Sequence, residues 1–179
     1  MKQHLLSFII ADQSRCTGCK TCEVACHAWH HPEGKTAGTA TGPVLPKIWI
    51  RRTQAGGTAE SCRQCEGAPC AGSCTRGAVR FCDGRVRVDT AFCQSCPDCV
   101  LACPFGAIRL APKRQGGAGS LRPSWVADKC DLCRGRDQGP VCVESCPEKA
   151  LRLVEPLQER REKNLEAARI IRGLCRGRR

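Results

Sequence analysis

The sequence predicts an α+β protein made of two small cysteine-rich modules, one inserted into the other, with an amphipathic helix at its C-terminal end. Three observations predict this fold class. Sixteen of the eighteen cysteines fall into four regularly spaced quartets, short β-prone segments separate the quartets, and residues 157–179 carry a helical apolar period. A chain of 179 residues is long enough for one compact domain or two small lobes.

The spacing of the third quartet indicates the chemistry. Residues 93–104 read CQSCPDCVLACP, a C-x₂-C-x₂-C-x₃-C run that ends in Pro104. This is the bacterial ferredoxin spacing for a 4Fe-4S cluster. Three thiolates on one tight loop can hold three irons of a cube, while the fourth, on the following helical turn, points toward a second cube. The other quartets are Cys16, Cys19, Cys22 and Cys26; Cys62, Cys65, Cys70 and Cys74; and Cys130, Cys133, Cys142 and Cys146.

The ligand sets are expected to be crossed, because in two-cluster ferredoxins the fourth cysteine of a run binds the other cluster. The second and third quartets then form one pair, and the first and last form another. The predicted sets for four 4Fe-4S clusters are Cys16, Cys19, Cys22 and Cys146 (cluster 1); Cys130, Cys133, Cys142 and Cys26 (cluster 2); Cys62, Cys65, Cys70 and Cys103 (cluster 3); and Cys93, Cys96, Cys99 and Cys74 (cluster 4).

This pairing predicts two bacterial-ferredoxin-like, di-cluster modules. Residues 54–112 form the inserted module, residues 1–53 and 113–155 form the outer module, and residues 156–179 form a helical tail. Within them, LLSFII (5–10) and KIWI (47–50) are predicted strands, whereas residues 32–46, 53–61 and 112–124 are predicted loops. The segments GAVRF and RVRVD flank an Asp-Gly pair, which predicts a hairpin.

An internal repeat follows three of the quartets. The segments CTRGAVRF, CPFGAIRL and CPEKALRL each place an alanine four residues after the last cysteine, then a branched residue and an arginine. We expect the small alanine to let the backbone approach a cluster, the branched residue to pack against it, and the arginine to point outward from a strand. The repeated triplets are Ala78, Val79 and Arg80; Ala107, Ile108 and Arg109; and Ala150, Leu151 and Arg152.

Composition and charge favour a metal protein over a disulfide scaffold or a nucleic-acid binder. The start of the chain lacks the features of a secretory signal, and no stretch approaches the length of a membrane span, so we expect a cytoplasmic protein. The formal net charge is +12, but four oxidised clusters with their thiolates would bring it to about +4. Aromatic content is only 4%, so we expect clusters to replace much of the apolar core.

Four segments carry a resemblance to a known family: FIIADQSRCTGCKTCEVAC, SCRQCEGAPC, CQSCPDCVLACPFGAI and KCDLCRGRDQGPVCVESCPEKAL. The chain resembles, from about Phe8 to Val154, the four-cluster ferredoxin-like subunits of formate hydrogenlyase and related formate dehydrogenases. Similar subunits serve dimethyl sulfoxide reductases, carbon monoxide dehydrogenase–hydrogenase systems and tungsten aldehyde oxidoreductases. The resemblance implies crossed ligation and electron relay for a large molybdenum or tungsten pterin subunit, in a soluble cytoplasmic protein.

The predicted function is that of an electron-transfer subunit, not an enzyme, which connects a formate dehydrogenase to a hydrogenase or another redox partner. No nucleophile pair, phosphate loop or pterin motif accompanies the quartets, and each quartet is complete. The closest alternative is the electron-transfer subunit of a tungsten aldehyde oxidoreductase. From other classes come a zinc-binding nucleic-acid protein, disfavoured because zinc sites usually pair two C-x₂-C knuckles, and an assembly factor for metalloenzymes.

The tail is expected to dock on a partner subunit or on another copy of this chain. Leu165, Ala168, Ile171 and Cys175 form an apolar stripe at helical spacing, within a segment of 8 basic and 3 acidic residues. Related subunits build filament-like arrays, which makes copy-to-copy stacking an option. The alternative is that the stripe folds back on its own lobe.

The residues outside the quartets receive simpler interpretations. His27, His30 and His31 are expected to lie in a solvated loop. Cys82 is expected to be a small core residue in a strand, and Cys175 a packed helix residue.

Three further residues stand close to the predicted cluster loops. Lys129, next to Cys130, could raise the potential of a cluster or could be a surface lysine, and the sequence leaves both open. Trp49 and Trp125 are expected to cover clusters from water.

Overall fold

The computed structural model describes residues 6–32, 43–82, 84–113 and 125–176, in which short strands alternate with mostly short helices. The strands are β1 Phe8–Ala11, β2 Ile48–Thr53, β3 Gly56–Ser61, β4 Val79–Cys82, β5 Arg85–Val88, β6 Arg109–Pro112, β7 Trp125–Asp128 and β8 Leu151–Val154. The helices are α1 Thr21–His30, α2 Pro69–Gly72, α3 Asp98–Ala102, α4 Val141–Glu144 and α5 Pro156–Arg176.

The strands form antiparallel pairs rather than one large sheet. The pairs are β1 with β8, β2 with β3, β4 with β5, and β6 with β7. The register of the first pair runs from Phe8 opposite Val154 to Ala11 opposite Leu151, so strands from the two ends of the described chain lie side by side. Helices α1 and α4 also contact each other. The segments that carry the first and fourth quartets are therefore neighbours, although the division into two modules stays a prediction.

The prediction of a loop over residues 53–61 is wrong, because Gly56–Ser61 is strand β3. Its two glycines disfavour a strand by propensity, yet the pairing of Thr53 with Gly56 closes a tight hairpin. Strand β1 begins at Phe8 and extends to Ala11, so part of the predicted LLSFII strand is displaced, and Leu5 lies outside the described residues. Most of the predicted loops at 32–46 and 112–124 also lie outside them.

The internal repeat has the expected burial and strand positions except at one arginine. The alanine and the branched residue are buried in all three copies, and the arginine stands in β4, β6 or β8. Arg80 and Arg152 are exposed as expected, but Arg109 is half-buried because its guanidinium lies 4.0 Å from the centre of the Trp49 ring. In each copy, a strand therefore begins at the second or third residue of the triplet, directly after a cysteine loop. The predicted Asp-Gly hairpin is confirmed by β4 and β5.

The core consists of two apolar clusters in which cysteines take a large share. Five of the twelve buried members of the larger cluster are cysteines, and so are two of the seven in the smaller one. Ordinary aliphatic side chains such as Ile9, Ile48 and Ile108 fill the space between them. The fold therefore brings its thiols inward, as a protein whose core is completed by metal clusters requires.

Helix α5 packs against little of the remaining described residues. Its described apolar side chains are largely exposed, with Leu165 at 55%, Ile170 at 58% and Ile171 at 61%. The alternative in which the stripe folds back on its own lobe is wrong for these residues, and the side chain of Cys175 is outside the description. None of the described helices has the length and apolar character needed to cross a membrane.

Candidate metal centres

The first cavity of interest lies between the loop that follows β1 and the segment that precedes β8. It is lined by Cys16, Cys19, Cys22 and Cys146, the four cysteines predicted for cluster 1. The first three follow β1 on a loop that runs into α1, and Cys146 follows α4 just before β8. Burial raises the pKa of Cys22 to about 12, and the nearby Glu23 and Cys146 act in the same direction.

A second cavity has the same composition near β4 and α3. It is lined by Cys74, Cys93, Cys96 and Cys99, the four cysteines predicted for cluster 4. Burial raises the pKa of Cys99 to about 11, and the Cys93, Cys74 and Cys96 thiols raise it further. Cys74, from the second quartet, thus lines the same cavity as three cysteines of the third quartet, which is the arrangement that crossed ligation predicts.

The cysteines of the other two predicted sets are also neighbours. Burial raises the pKa of Cys133 to about 11, and the Cys26 thiol raises it further. Burial likewise raises the pKa of Cys142, with contributions from Cys130, Cys26 and Cys133. In the remaining set, burial raises the pKa values of Cys65 and Cys70, and Cys62 and Cys103 act on both in the same direction.

Thiols of different predicted sets share a core cluster and influence one another's pKa at three junctions. Cys22 acts on Cys142, which joins the set of cluster 1 to that of cluster 2. Cys62 acts on Cys130, which joins the sets of clusters 2 and 3, and Cys70 acts on Cys99, which joins those of clusters 3 and 4. These influences connect the predicted cysteine sets in the order 1, 2, 3, 4.

Backbone N–H groups point at many of the cysteine sulfurs. After three quartets the donor is a residue of the internal repeat: Val79 donates to Cys74 Sγ at 3.4 Å, Ala107 to Cys103 Sγ at 3.4 Å, and Ala150 to Cys146 Sγ at 3.3 Å. Such hydrogen bonds favour the thiolate form and are one of the means by which proteins tune iron–sulfur clusters. Further bonds of this kind run from Lys47 to Cys26, Gln64 to Cys62, Ala127 to Cys93 and Val141 to Cys133.

The first C-x₂-C turn of every quartet uses the same backbone conformation. The residue before the second cysteine has a positive φ in all four quartets, at Gly18 (72°), Gln64 (49°), Ser95 (64°) and Leu132 (59°). Only the first is a glycine, and the left-handed region costs other residues roughly 1 to 3 kcal/mol. Strain repeated at one position of every loop indicates that the loops share a shape set by what they bind. Only Gly18 gave a sequence signal for it.

A close approach of backbone to sulfur explains the glycines that begin β3. A Cβ atom added at Gly57 would lie 2.5 Å from Cys16 Sγ, and one added at Gly56 would lie 2.0 Å from the Gln13 carbonyl oxygen. The Gly57 N–H also donates to the Cys16 carbonyl at 3.0 Å. The hairpin of β2 and β3 therefore covers the first cysteine loop, and sequence reasoning missed this role because it treated the segment as a loop.

The prediction of a solvated histidine loop is wrong, because α1 continues past Cys26 and carries His27 and His30 inward. His27 is buried and its Nδ1 accepts the Leu45 N–H at 3.0 Å. His30 Nδ1 lies 2.8 Å from the Cys26 carbonyl oxygen and 3.6 Å from Cys26 Sγ. Its Nε2 lies 2.9 Å from Asp131 Oδ1.

Ionic contacts surround this histidine. Burial disfavours the charged ring, but hydrogen bonds to Asp131 and Cys26 raise the pKa of His30 to about 10. Burial also opposes the ionised form of Asp131, yet the His30 hydrogen bond and the Lys47 charge lower its pKa to about 2. Lys47 Nζ in turn lies 2.6 Å from Asp128 Oδ1. A charged network thus connects the loop of the fourth quartet to the last cysteine of the first.

The remaining predicted residues have mixed outcomes. Lys129 is buried, so the surface-lysine alternative is wrong. Cys82 lies in β4 as predicted, but it is half-buried and paired with Arg85 in the strand register rather than in the core. Trp125 is 47% exposed and Trp49 lies beneath Arg109, so that a covering role for these two rings stays a prediction.

The donor sets fit a thiolate-bound cluster. Two cavities are each lined by four cysteines from two quartets, and backbone N–H groups are directed at the sulfurs. Within the described ranges, no three His, Cys, Asp or Glu side chains are grouped as ligands of a single metal ion. Ligation of each cluster by its predicted set stays a prediction.

Comparison with known proteins agrees with this chemistry. The chain is 43% identical over 153 residues to the electron transport protein HydN of Escherichia coli K12, covering 83% of this chain and 87% of that one. It is 35% identical over 172 residues to formate hydrogenlyase subunit 2 of the same organism, covering 83% and 81%.

Two further comparisons complete the assignment. A chain of the BamBC complex of benzoyl-coenzyme A reductase is similar at 24% identity over 91% of this chain, but at a TM-score of 0.37 this carries no argument. Residues 55–156 match the family described as the 4Fe-4S dicluster domain. Because this match spans more than half of the sequence and the relatives are similar along most of their length, the chain belongs to the 4Fe-4S dicluster family.

Proposed function

We propose that this protein is an electron-transfer subunit that relays single electrons through four 4Fe-4S clusters. The proposal rests above all on the succession of the predicted cysteine sets, in which thiols of neighbouring sets share two core clusters and influence one another's pKa at three junctions. An unbroken succession is what a relay needs, because electrons must pass between neighbouring centres without a long gap. The HydN relative is named an electron transport protein, which supports the same role.

The cysteines would hold the clusters in the crossed sets predicted from the sequence. A bound 4Fe-4S cluster supplies reversible one-electron chemistry at a potential set by its surroundings. The chain's own contribution is to supply thiolates, to direct backbone N–H groups at their sulfurs and to limit access of water. Most of the sulfurs are at least partly buried, whereas Cys19 is exposed.

The two ends of the succession are the natural points of contact with partners. The cluster 1 set includes the exposed Cys19, and the cluster 4 set includes the half-buried Cys96. Partners that donate and accept electrons would therefore dock at these two ends, while the sets of clusters 2 and 3 lie between them.

The proposed partners are a molybdenum or tungsten pterin subunit of the formate dehydrogenase type and a second redox subunit such as a hydrogenase. The similarity to formate hydrogenlyase subunit 2 along most of both chains supports this pairing. We place the protein in the cytoplasm, where a cysteine-rich chain keeps its thiols reduced for metal binding. A tungsten aldehyde oxidoreductase stays an alternative drawn from the resemblance.

Metal analysis of anaerobically purified protein tests the number of clusters. The expected result is about sixteen iron and sixteen sulfide per chain, from four cubes. Iron near eight, or stoichiometric zinc, would reject the four-cluster proposal.

A reconstituted relay tests the partners. Purified formate dehydrogenase should reduce the protein in the presence of formate, and hydrogenase should reoxidise it with release of hydrogen. Cys133→Ser, within the succession, should slow this transfer, whereas Cys82→Ser, outside the four sets, should leave it unchanged. Failure of formate-driven reduction with all four clusters present would reject the partner while keeping the relay.

A further inference from the structure

Lys129 is a buried cation that forms no ion pair with a carboxylate of the described residues. Its exposed fraction is 4%, and within the described part of the chain no carboxylate oxygen lies within 4 Å of its Nζ. The two nearest aspartates in the sequence form other ion pairs, since Asp128 binds Lys47 at 2.6 Å and Asp131 binds His30 at 2.9 Å. Burying an unpaired charge is costly unless an anion stands nearby.

The ammonium group lies at the junction between the sets of clusters 2 and 3. Lys129 Nζ donates to the Cys130 carbonyl at 3.1 Å, and Gln64 Nε2 donates to the same oxygen at 3.0 Å. Gln64 is itself buried and stands directly before Cys65. Two donors on one oxygen place the lysine beside the loop that carries Cys62 and Cys65.

Two thiols flank the glutamine that shares this carbonyl with the lysine. Gln64 lies between Cys62 and Cys65 in their C-x₂-C turn, and its backbone N–H donates to Cys62 Sγ at 3.4 Å. These two cysteines belong to the predicted set of cluster 3. The anion that balances Lys129 is therefore expected to be the thiolate-bound cluster of that set.

We propose that Lys129 is a fixed positive charge that raises the reduction potential of cluster 3. This proposal rests on the four-cluster function above. Each electron added to a cluster makes it more negative, so a nearby cation stabilises the reduced form more than the oxidised form. The effect is strong in this place because buried charges are weakly screened by water and salt.

The position of the lysine gives this effect a functional meaning. Clusters 2 and 3 are the two middle members of the proposed relay, so that every electron passes from one to the other. An electron crossing the protein in either direction has to occupy cluster 3. Without the cation, the reduced state of this cluster would be less accessible and would obstruct transfer, even though all four clusters were present.

Potentials of matched variants test the proposal. Lys129→Met removes the charge with little change in shape, Lys129→Arg keeps the charge, and Lys163→Met removes an equal charge from the exposed helix α5. Redox titration followed by electron paramagnetic resonance gives the potential of each cluster. The signal of cluster 3 is identified as the one altered in Cys65→Ser.

The expected result is a fall in the potential of cluster 3 in Lys129→Met alone. A roughly tenfold smaller equilibrium constant for reduction corresponds to about 59 mV for one electron. Equal potentials in Lys129→Met and the unmodified protein, with sixteen irons retained, would overturn the role of the lysine but leave the relay intact.

Loss of iron in the Met variant calls for a second neutral variant, Lys129→Gln. If this variant keeps its clusters, its potential decides the question in the same way. If both neutral variants lose iron while Lys129→Arg keeps it, the lysine serves assembly and the proposal is overturned. An iron count near eight in the unmodified protein would instead reject the four-cluster function.

Discussion

Cys26 is the residue at which crossed and uncrossed ligation differ most clearly. It completes the first C-x₂-C-x₂-C-x₃-C run, yet its thiol acts on Cys130, Cys133 and Cys142. We therefore expect Cys26→Ser to damage cluster 2 and to leave cluster 1 largely intact. Iron content and electron paramagnetic resonance of the variant measure this loss, with Cys82→Ser as a control outside the four sets. Loss of the cluster 1 signal with the cluster 2 signal retained would contradict crossed ligation.

Gly57 tests how tightly the β2–β3 hairpin covers the first cysteine loop. An alanine Cβ would lie 2.5 Å from Cys16 Sγ, closer than real contacts allow, so Gly57→Ala must displace the cysteine or the strand. We expect selective loss of cluster 1, observed as about four fewer irons per chain. Gly67→Ala is the matched control, because no atom lies within 4 Å of its added Cβ. Equal iron in the two variants would show that the hairpin yields.

Residues were predictable from the sequence where spacing alone carries the information. The cysteines themselves and the buried alanines Ala78, Ala107 and Ala150 follow from the repeat. The left-handed backbone at Ser95 and Leu132 did not, because neither residue type favours that conformation and the loop imposes it. The inward position of His30 was not predictable either, because nothing in a single sequence shows that Asp131 lies within hydrogen-bonding distance of it.

At the scale of elements, the hairpin with local turn chemistry was predicted and the one determined by tertiary contact was not. The Asp-Gly pair predicts the turn between β4 and β5 from the sequence alone. Strand β3, by contrast, begins with two glycines of poor β-propensity, and its place against the loop of Cys16 is what requires them. The pairing of β1 with β8 joins segments about 140 residues apart, and only the crossed quartets indicated it.

Helix α5 presents an apolar face that the described residues leave exposed. Leu165 and Ile171 lie on one stripe and are both more than half exposed, and residues 157–179 hold 8 basic and 3 acidic side chains. An exposed stripe of this kind favours association, and the positive charge suits an acidic neighbour. We therefore predict that the helix docks on a partner subunit or on a second copy of the chain.

Truncation before Leu157 tests this docking prediction. The truncated protein should keep its iron, because none of the sixteen quartet cysteines is removed, but it should leave the complex or shorten the assembly, as measured by light scattering and pull-down. Leu165→Gln combined with Ile171→Gln should have the same effect without shortening the chain, whereas Glu166→Gln, on the opposite side of the helix, should not. Loss of iron on truncation, or an unchanged complex, would contradict docking.

At the scale of the whole molecule, metal and fold are expected to be inseparable. Five of the twelve buried members of the larger core cluster are cysteines, and only 4% of all residues are aromatic. Removing the clusters would leave gaps where the side chains of an ordinary core would pack, and cavities of this kind are destabilising. It would also uncover the formal charge of +12, which bound clusters reduce to about +4. Both the gaps and the uncovered charge would lower the stability of the folded state.

Chelation measures that dependence directly. Treating the protein anaerobically with an iron chelator under reducing conditions should abolish the compact state, seen as an increased hydrodynamic radius and loss of the strand signal in circular dichroism. Helix α5, which packs against little else, contributes helical signal that need not change, so strand content and radius are the informative readings. Adding iron and sulfide back should restore both. A chelated protein that keeps its radius and strands would mean that the apolar residues alone, such as Ile9, Ile48 and Ile108, suffice to hold the fold.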